Sequence, residues 1–431
     1  MNAKKNESKG ITLIALVISI IVLLILAGVT IAALSGENGI LTKAKEAKEK
    51  TKQAQEDEST TLSNMENILG VYNFKNINPA DTNPSETVPE NSIVLEDDAN
   101  KGIVIKDKNE NEWVWIEVPK TTVFSGLTID TTQELTDQNY EDIKNKLIEY
   151  AGIYRKGSTT GQTSSNWTDE WYAKDGEKLV TGSTEILTEE QKALKNGCGL
   201  TYDEYQKSYQ KMLRSVYMYG GFWIGRYEAG IEGSIEDLSK ARIKHTEIEI
   251  GTSPKAISQK DAIPYNFVYC NEAQALAQEM ASSSNYTSSL MFGLQWDLIC
   301  KYLEEKNKLK IEEINTNSSS WGNYYDSEIE NIKSGKYVIY DGSVLDTWTQ
   351  ITDSYTKQKS ENNYKTLLST GISEYTNRMN IYDFAGNTWE WTLEQALSNK
   401  NRPSVLRGGG CYNAGFYSSA FKLEWDYQQR I

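Results

Sequence analysis

The sequence predicts an α+β fold with much irregular structure, preceded by a long N-terminal transmembrane and stalk α-helix. Three observations lead there. An apolar run fills residues 11–34, short β-type segments such as Trp113-Val114-Trp115-Ile116 accompany few helical ones, and long Ser/Thr/Asn/Gly-rich stretches show little periodicity. A formal charge of −15 over 431 residues makes a nucleic-acid backbone an unsuitable partner.

Taken in order, the apolar run from Ile11 to Leu34 is broken only by Thr12, Ser19, Gly28 and Thr30. About 20 such residues span a bilayer as a helix. Lys4, Lys5 and Lys9 precede it, which places the amino terminus inside and everything after Leu34 outside the cell membrane. Residues 35–70 read as a helical stalk, supported by the i,i+4 pairs Glu46–Lys50 and Lys45–Glu49. Pro79, Pro84 and Pro89 mark residues 71–91 as a polar linker, so the globular part covers 92–431.

Within it, Ile103-Val104-Ile105, Trp113 to Val118 and Gly220 to Glu228 read as strands. Asp137 to Tyr150, Asn271 to Met280 and Trp296 to Glu305 read as helices. Two segments stand out near the carboxyl end: Tyr382-Asp383-Phe384-Ala385-Gly386-Asn387-Thr388-Trp389-Glu390-Trp391 and Leu406-Arg407-Gly408-Gly409-Gly410. In the first, Asp383, Gly386, Thr388 and Glu390 come from one tight turn. Two carboxylates and two carbonyls there are hard oxygen donors suited to calcium, or else Glu390 caps the turn while both tryptophans fill the core.

The single histidine, His245, leaves no basis for histidine triads or multi-histidine zinc sites. Cys198, Cys270, Cys300 and Cys411 show no C-x-x-C spacing, and in an exported protein they could pair in three ways. The 26 tyrosines against 8 phenylalanines fit either a recognition surface or plain base composition.

Two resemblances follow from these residues. Lys9-Gly10-Ile11-Thr12-Leu13-Ile14 resembles the class III leader of type IV prepilins (residues 1–10), with Ala15 where that family usually carries Glu. The resemblance implies cleavage by a prepilin peptidase between Gly10 and Ile11, a pilin-like helix over 11–34, and other pilins as partners. The series Trp113-Val114-Trp115-Ile116, Phe222 to Glu228, Asn271-Glu272-Ala273-Gln274-Ala275, Phe292 to Asp297, Gly386 to Trp391 and Arg407-Gly408-Gly409 resembles the formylglycine-generating enzyme (sulfatase-modifying factor) family.

That second resemblance implies a C-type-lectin-like fold over 92–431 and a structural calcium at Asp383, Gly386, Thr388 and Glu390. The two copper-binding cysteines of the family fall on Asn413 and Ser418, so neither copper nor catalysis is expected. In their place stand Tyr412, Asn413, Phe416, Tyr417, Ser418, Trp425 and Tyr427, a mixture of rigid aromatic and adaptable polar groups like a paratope. It also resembles the variable proteins of diversity-generating retroelements. The expectation is a surface-displayed, membrane- or pilus-anchored, adhesin-like protein that binds an extracellular protein or glycan through the residues after Gly410. The alternatives are an oxidase with its site rearranged around Cys411, and a structural minor pilin.

Overall fold

A computed structural model describes residues 17–24, 43, 45, 47–52, 72–156, 166–173, 187–233, 248–281, 285–340, 347–359, 365–398 and 401–426. The chain divides into two units, Met1–Leu69 and Gly70–Ile431.

In the first unit, residues 17–24 and the described part of 43–52 are helical and exposed. This corrects the expectation of a long transmembrane helix. Among the described residues no helix is long and apolar enough to cross a membrane. The expected cleavage point, Gly10 and Ile11, lies outside the described residues.

The second unit is a mixed α/β body, which corrects the expected α+β, C-type-lectin-like domain with few helices. Its strands are β1 (Ile93–Glu96), β2 (Val104–Lys106), β3 (Glu112–Glu117), β4 (Trp167–Thr168), β5 (Gly221–Gly225), β6 (Gly230–Ile231), β7 (Ala256–Ile257) and β8 (Ile329–Ile332). They continue as β9 (Lys336–Tyr340), β10 (Thr349–Gln350), β11 (Tyr355–Lys357), β12 (Lys365–Leu368), β13 (Glu390–Ala396), β14 (Ser404–Arg407) and β15 (Lys422–Trp425). Among the described residues, four helices of eleven residues or more interleave with them rather than segregating: α1 (Asp137–Arg155), α2 (Tyr202–Tyr219), α3 (Cys270–Met280) and α4 (Gly293–Lys306), beside shorter turns such as Ile311–Asn315.

The sequence readings foresee α1, α3 and α4 but not α2. Yet α2 has clear local causes. Thr201 caps it in a reciprocal box with Glu204, Tyr205, Tyr209, Met212, Leu213 and Val216 form its buried stripe, and Gly220 ends it in the left-handed region at φ 72°. Its stripe is rich in tyrosine, which hides it from an apolar count.

Two antiparallel four-stranded sheets organise the body, in the orders β1-β2-β3-β5 and β15-β14-β13-β4. Helix α4 packs on α1, β3 and β13, and so joins the two sheets. Val114, Ile116, Leu147, Trp296, Trp389, Trp391 and Leu406 belong to one continuous core. Residues 72–91, expected as a linker, pack against this body instead. Thr82 is buried and accepts a hydrogen bond from Trp115 Nε1 at 2.8 Å, and Asn83 N donates to Tyr219 O at 2.7 Å.

The sequence leaves three cysteine pairings open, and the structure has one bridge. Cys198, just ahead of α2, joins Cys270 at the start of α3, and both are buried. Cys300 and Cys411 are free and buried. The bridge closes a separation of 72 residues. Opening it in Cys198→Ala/Cys270→Ala is expected to cost about 4 kcal/mol by the loop-entropy estimate. Urea unfolding of oxidised wild type against the double variant measures this, and equal midpoints would refute it.

Candidate functional site

The Arg-Gly-Gly and Trp-Glu-Trp segments are neighbours in space because β13 and β14 pair, with Glu390 opposite Arg407 and Trp391 opposite Leu406. Arg407 is fully buried. It donates to Asp297 Oδ1 at 2.7 Å and to Glu394 Oε2 at 2.9 Å. Gly408 then turns at φ +87°, where an added Cβ would lie 2.2 Å from the Glu390 carboxylate. Only glycine tolerates both that conformation and that approach.

The turn before β13 is held by Asn387, itself at φ 62°. Its Oδ1 accepts from Asn323 Nδ2 at 2.8 Å and Leu368 N at 3.0 Å, and its Nδ2 donates to Glu228 at 2.5 Å. Thr388 adds its amide and hydroxyl to the same Glu228 carboxylate, at 2.9 and 2.7 Å. Glu228 has no role in the sequence readings, although it closes the Gly225-Arg226-Tyr227-Glu228 strand segment. Its signal was a carboxylate directly after an aromatic β run, too common to single out.

The four residues expected to hold calcium have different surroundings. Asp383 Oδ1 accepts from Thr376 Oγ1 at 2.7 Å and Oδ2 from Gly371 N at 2.6 Å, while the Thr388 hydroxyl is spent on Glu228. Gly386 sits at φ +77° against the Asn323 backbone. Glu390 is the exception, since its buried Oε2 has no hydrogen-bond partner. Among the described residues no three His, Cys, Asp or Glu side chains gather to hold a metal ion. Of the four, Glu390 is thus the residue whose side chain keeps a buried oxygen unanswered, while the Asp383 carboxylate is already met at both oxygens.

Glu228 and Asp383 nevertheless add their charges to the surroundings of Glu390. Burial pushes Asp383 up to about 6, and burial with mutual repulsion pushes Glu228 and Glu390 well above the ordinary carboxylate range.

Beyond Gly410 the chain forms a loop fastened at many points. Cys411 N donates to Asn387 O at 2.8 Å, Tyr325 N to Asn413 O at 3.0 Å, and Gly415 N to Asp326 Oδ1 at 2.8 Å. Ser318 N donates to Gly415 O at 2.8 Å and Ala420 N to Ile314 O at 3.1 Å.

The residues expected to bind ligand divide on this loop. Phe416 is 55% exposed and Tyr412 36% exposed. Asn413, Tyr417 and Trp425 are half-buried, and the Asn413 side chain accepts from Gly410 N at 3.1 Å. Ser418 is fully buried, which removes it from any contact surface, and Tyr427 lies outside the described residues. Phe416 leans on Tyr417 with ring centres 4.5 Å apart, and Tyr417 on Phe421 at 4.7 Å. Cys411 points the other way, into an apolar cluster with Ile231, Ile263, Val338, Trp348 and Leu367. Burial pushes its thiol up to about 12.

Set against family models, characterised proteins and solved structures, the chain matches none. The resemblances described above rest on their motifs alone.

The acidic trio has a pH signature. The folded pKa values of Glu228, Asp383 and Glu390 are raised, so their contribution to stability is full below the unfolded values near 4 and is lost as pH rises through about 6 and beyond. In chelator, the unfolding free energy is expected to fall by about 1 kcal/mol or more between about pH 5 and about pH 8. Glu390→Gln should reduce the slope without abolishing it, since burial alone raises Asp383, and burial with Asp383 raises Glu228. Denaturant titrations across that range decide it, and a wild type that gains stability toward pH 8 would contradict the assignment.

Proposed function

We propose that this chain is a binding protein that presents the loop after Gly410 to an external protein or glycan, with Phe416 and Tyr412 as anchors. The observation that carries it is the pair of exposed aromatic rings on a loop fastened to the body from beneath. Exposed aromatics on rigid backbone give contact area at low entropic cost. Asn413 and half-buried Tyr417 and Trp425 supply the rim. The Cys198–Cys270 bridge supports an oxidising location outside the cytosol.

An oxidase rearranged around Cys411 is the weaker reading. Its sulfur would have to act as a thiolate, yet it sits in an apolar cluster with its pKa pushed up.

Glycan and peptide arrays probed with the full chain test the binding reading. For any ligand found, Phe416→Ala with Tyr412→Ala is expected to weaken binding at least about tenfold, since buried aromatic anchors carry about 2 kcal/mol or more. Ligands held equally by wild type and the double variant would place the site elsewhere.

Calcium becomes a narrower proposal: a hard cation held by Glu390, with Glu228 beside it. It rests on the unpartnered Glu390 Oε2. Millimolar calcium should raise the Tm of wild type and leave Glu390→Gln unmoved. Identical melting of wild type with calcium and with chelator would end this proposal.

A further inference from the structure

Lys357, the last residue of β11, is completely buried. Its amine donates to the carbonyl of Tyr324 and, at 2.6 Å, to that of Ser327. Both acceptors lie on the loop formed by residues 322–327. That loop in turn holds the presentation loop at three places. The Tyr324 hydroxyl donates to Gly408 O at 2.7 Å, Tyr325 N donates to Asn413 O, and Asp326 accepts from Gly415 N.

We infer that Lys357 is the positioning residue of the 408–418 surface: by gripping two carbonyls of the 322–327 loop it fixes the hydroxyl, amide and carboxylate that hold that surface in place. The role as a ligand-site positioner rests on the binding reading above, while the mechanical link does not.

The link has a sign that can be measured. The groups facing the amine are Asp326 on the gripped loop and the Cys411 thiol on the presentation loop. Burial lowers the amine to about 8, an effect that Cys411 and Asp326 only partly offset. The gripped state therefore favours the neutral amine, whereas a released loop returns it to water and to an ordinary lysine value near 10.5. Release takes up a proton between those two values. Rising pH across that window accordingly favours the gripped state.

Quench-flow hydrogen exchange with mass spectrometry on the full, ligand-free chain reads this out. After correction for intrinsic exchange, opening of residues 408–418 should become rarer by up to about tenfold per pH unit between about pH 8 and about pH 10. The 104–117 sheet should not follow. Lys357→Met orphans two buried carbonyls, so it should open the loop at least about tenfold more at neutral pH and abolish the pH dependence. Lys357→Gln keeps a donor without a titrating charge, and should retain much of the protection while losing the pH dependence.

A wild-type loop whose opening is flat with pH overturns the inference, as does a Lys357→Met loop as protected as wild type. Should Lys357→Met fail to fold, the wild-type series and Lys357→Gln still decide. No ligand enters the measurement. A surface that binds nothing would sink the functional reading and leave this one standing, and a pH-flat loop would do the reverse.

Discussion

The body of this protein depends on one buried ion network. Arg155 reaches Asp169 at 2.8 Å, Glu394 at 3.0 Å and Asp297 at 3.3 Å. Arg407 joins Asp297 and Glu394, and Lys422 reaches Glu394 at 2.6 Å. Asp169 also accepts from the first amides of α4, Gly293 N and Leu294 N, at 2.7 and 3.0 Å. Three bases and three acids cancel, so the cluster carries no net charge into the core. Removing any one of them would leave a buried charge unpaired, typically a loss of about 3–5 kcal/mol. Its members come from α1, α4, β13, β14 and β15, with Asp169 just after β4, so the network ties remote segments together.

What the network fixes is the end of β14. With Arg407 held at both its terminal nitrogens, Gly408 has one place to turn, and the turn brings the backbone onto Glu390. From there the chain moves from a balanced charge cluster to an unbalanced one. Glu228, Asp383 and Glu390 are three carboxylates answered by amides, hydroxyls and one orphaned oxygen. The contrast is physical rather than decorative. The network matches each acid with a base, whereas the excess of buried acid around Glu390 invites either protons or a cation.

Much of this was legible in the sequence, and the boundary has causes. Trp389, Trp391, Arg407 and Gly408 stand out by their residue types, and all four are central in the structure. Arg407 could be singled out, but its partners could not. Glu394 and Lys422 fall out of phase with the apolar Trp391 and Leu393, and Leu423 and Trp425, so alternation reads both as solvent-facing, and Arg155 is about 250 positions away in a helix that reads as ordinary. The network exists only once three remote segments meet. The disulfide was invisible for the same reason. Helix α2 was legible locally, through the Thr201–Glu204 box and Gly220, but its tyrosine stripe disguised it. Ser418 shows the opposite failure: a polar residue between aromatics reads as surface, yet the loop folds it under.

The exposure of Phe416 is the feature least explained by folding alone. Burying a phenylalanine is worth about 1.5–3 kcal/mol, and the apolar neighbours needed to do it are close by. Tyr417, Phe421 and Trp389 already form an aromatic base beside it, with Trp389 edge to face against Tyr417 at 6.0 Å and Phe421 tilted on Tyr417 at 4.7 Å. A loose loop would let Phe416 collapse onto that base. This one is denied the movement, because Asn413 O, Gly415 N and Gly415 O are each tied to the 318–326 segment, and Ala420 N to Ile314. The same bonds that hold Phe416 out of the core hold Cys411 in it. On the binding reading the two facts have one origin: the loop is fixed so that its aromatic face meets solvent and its sulfur does not, which favours recognition over thiol chemistry at this surface.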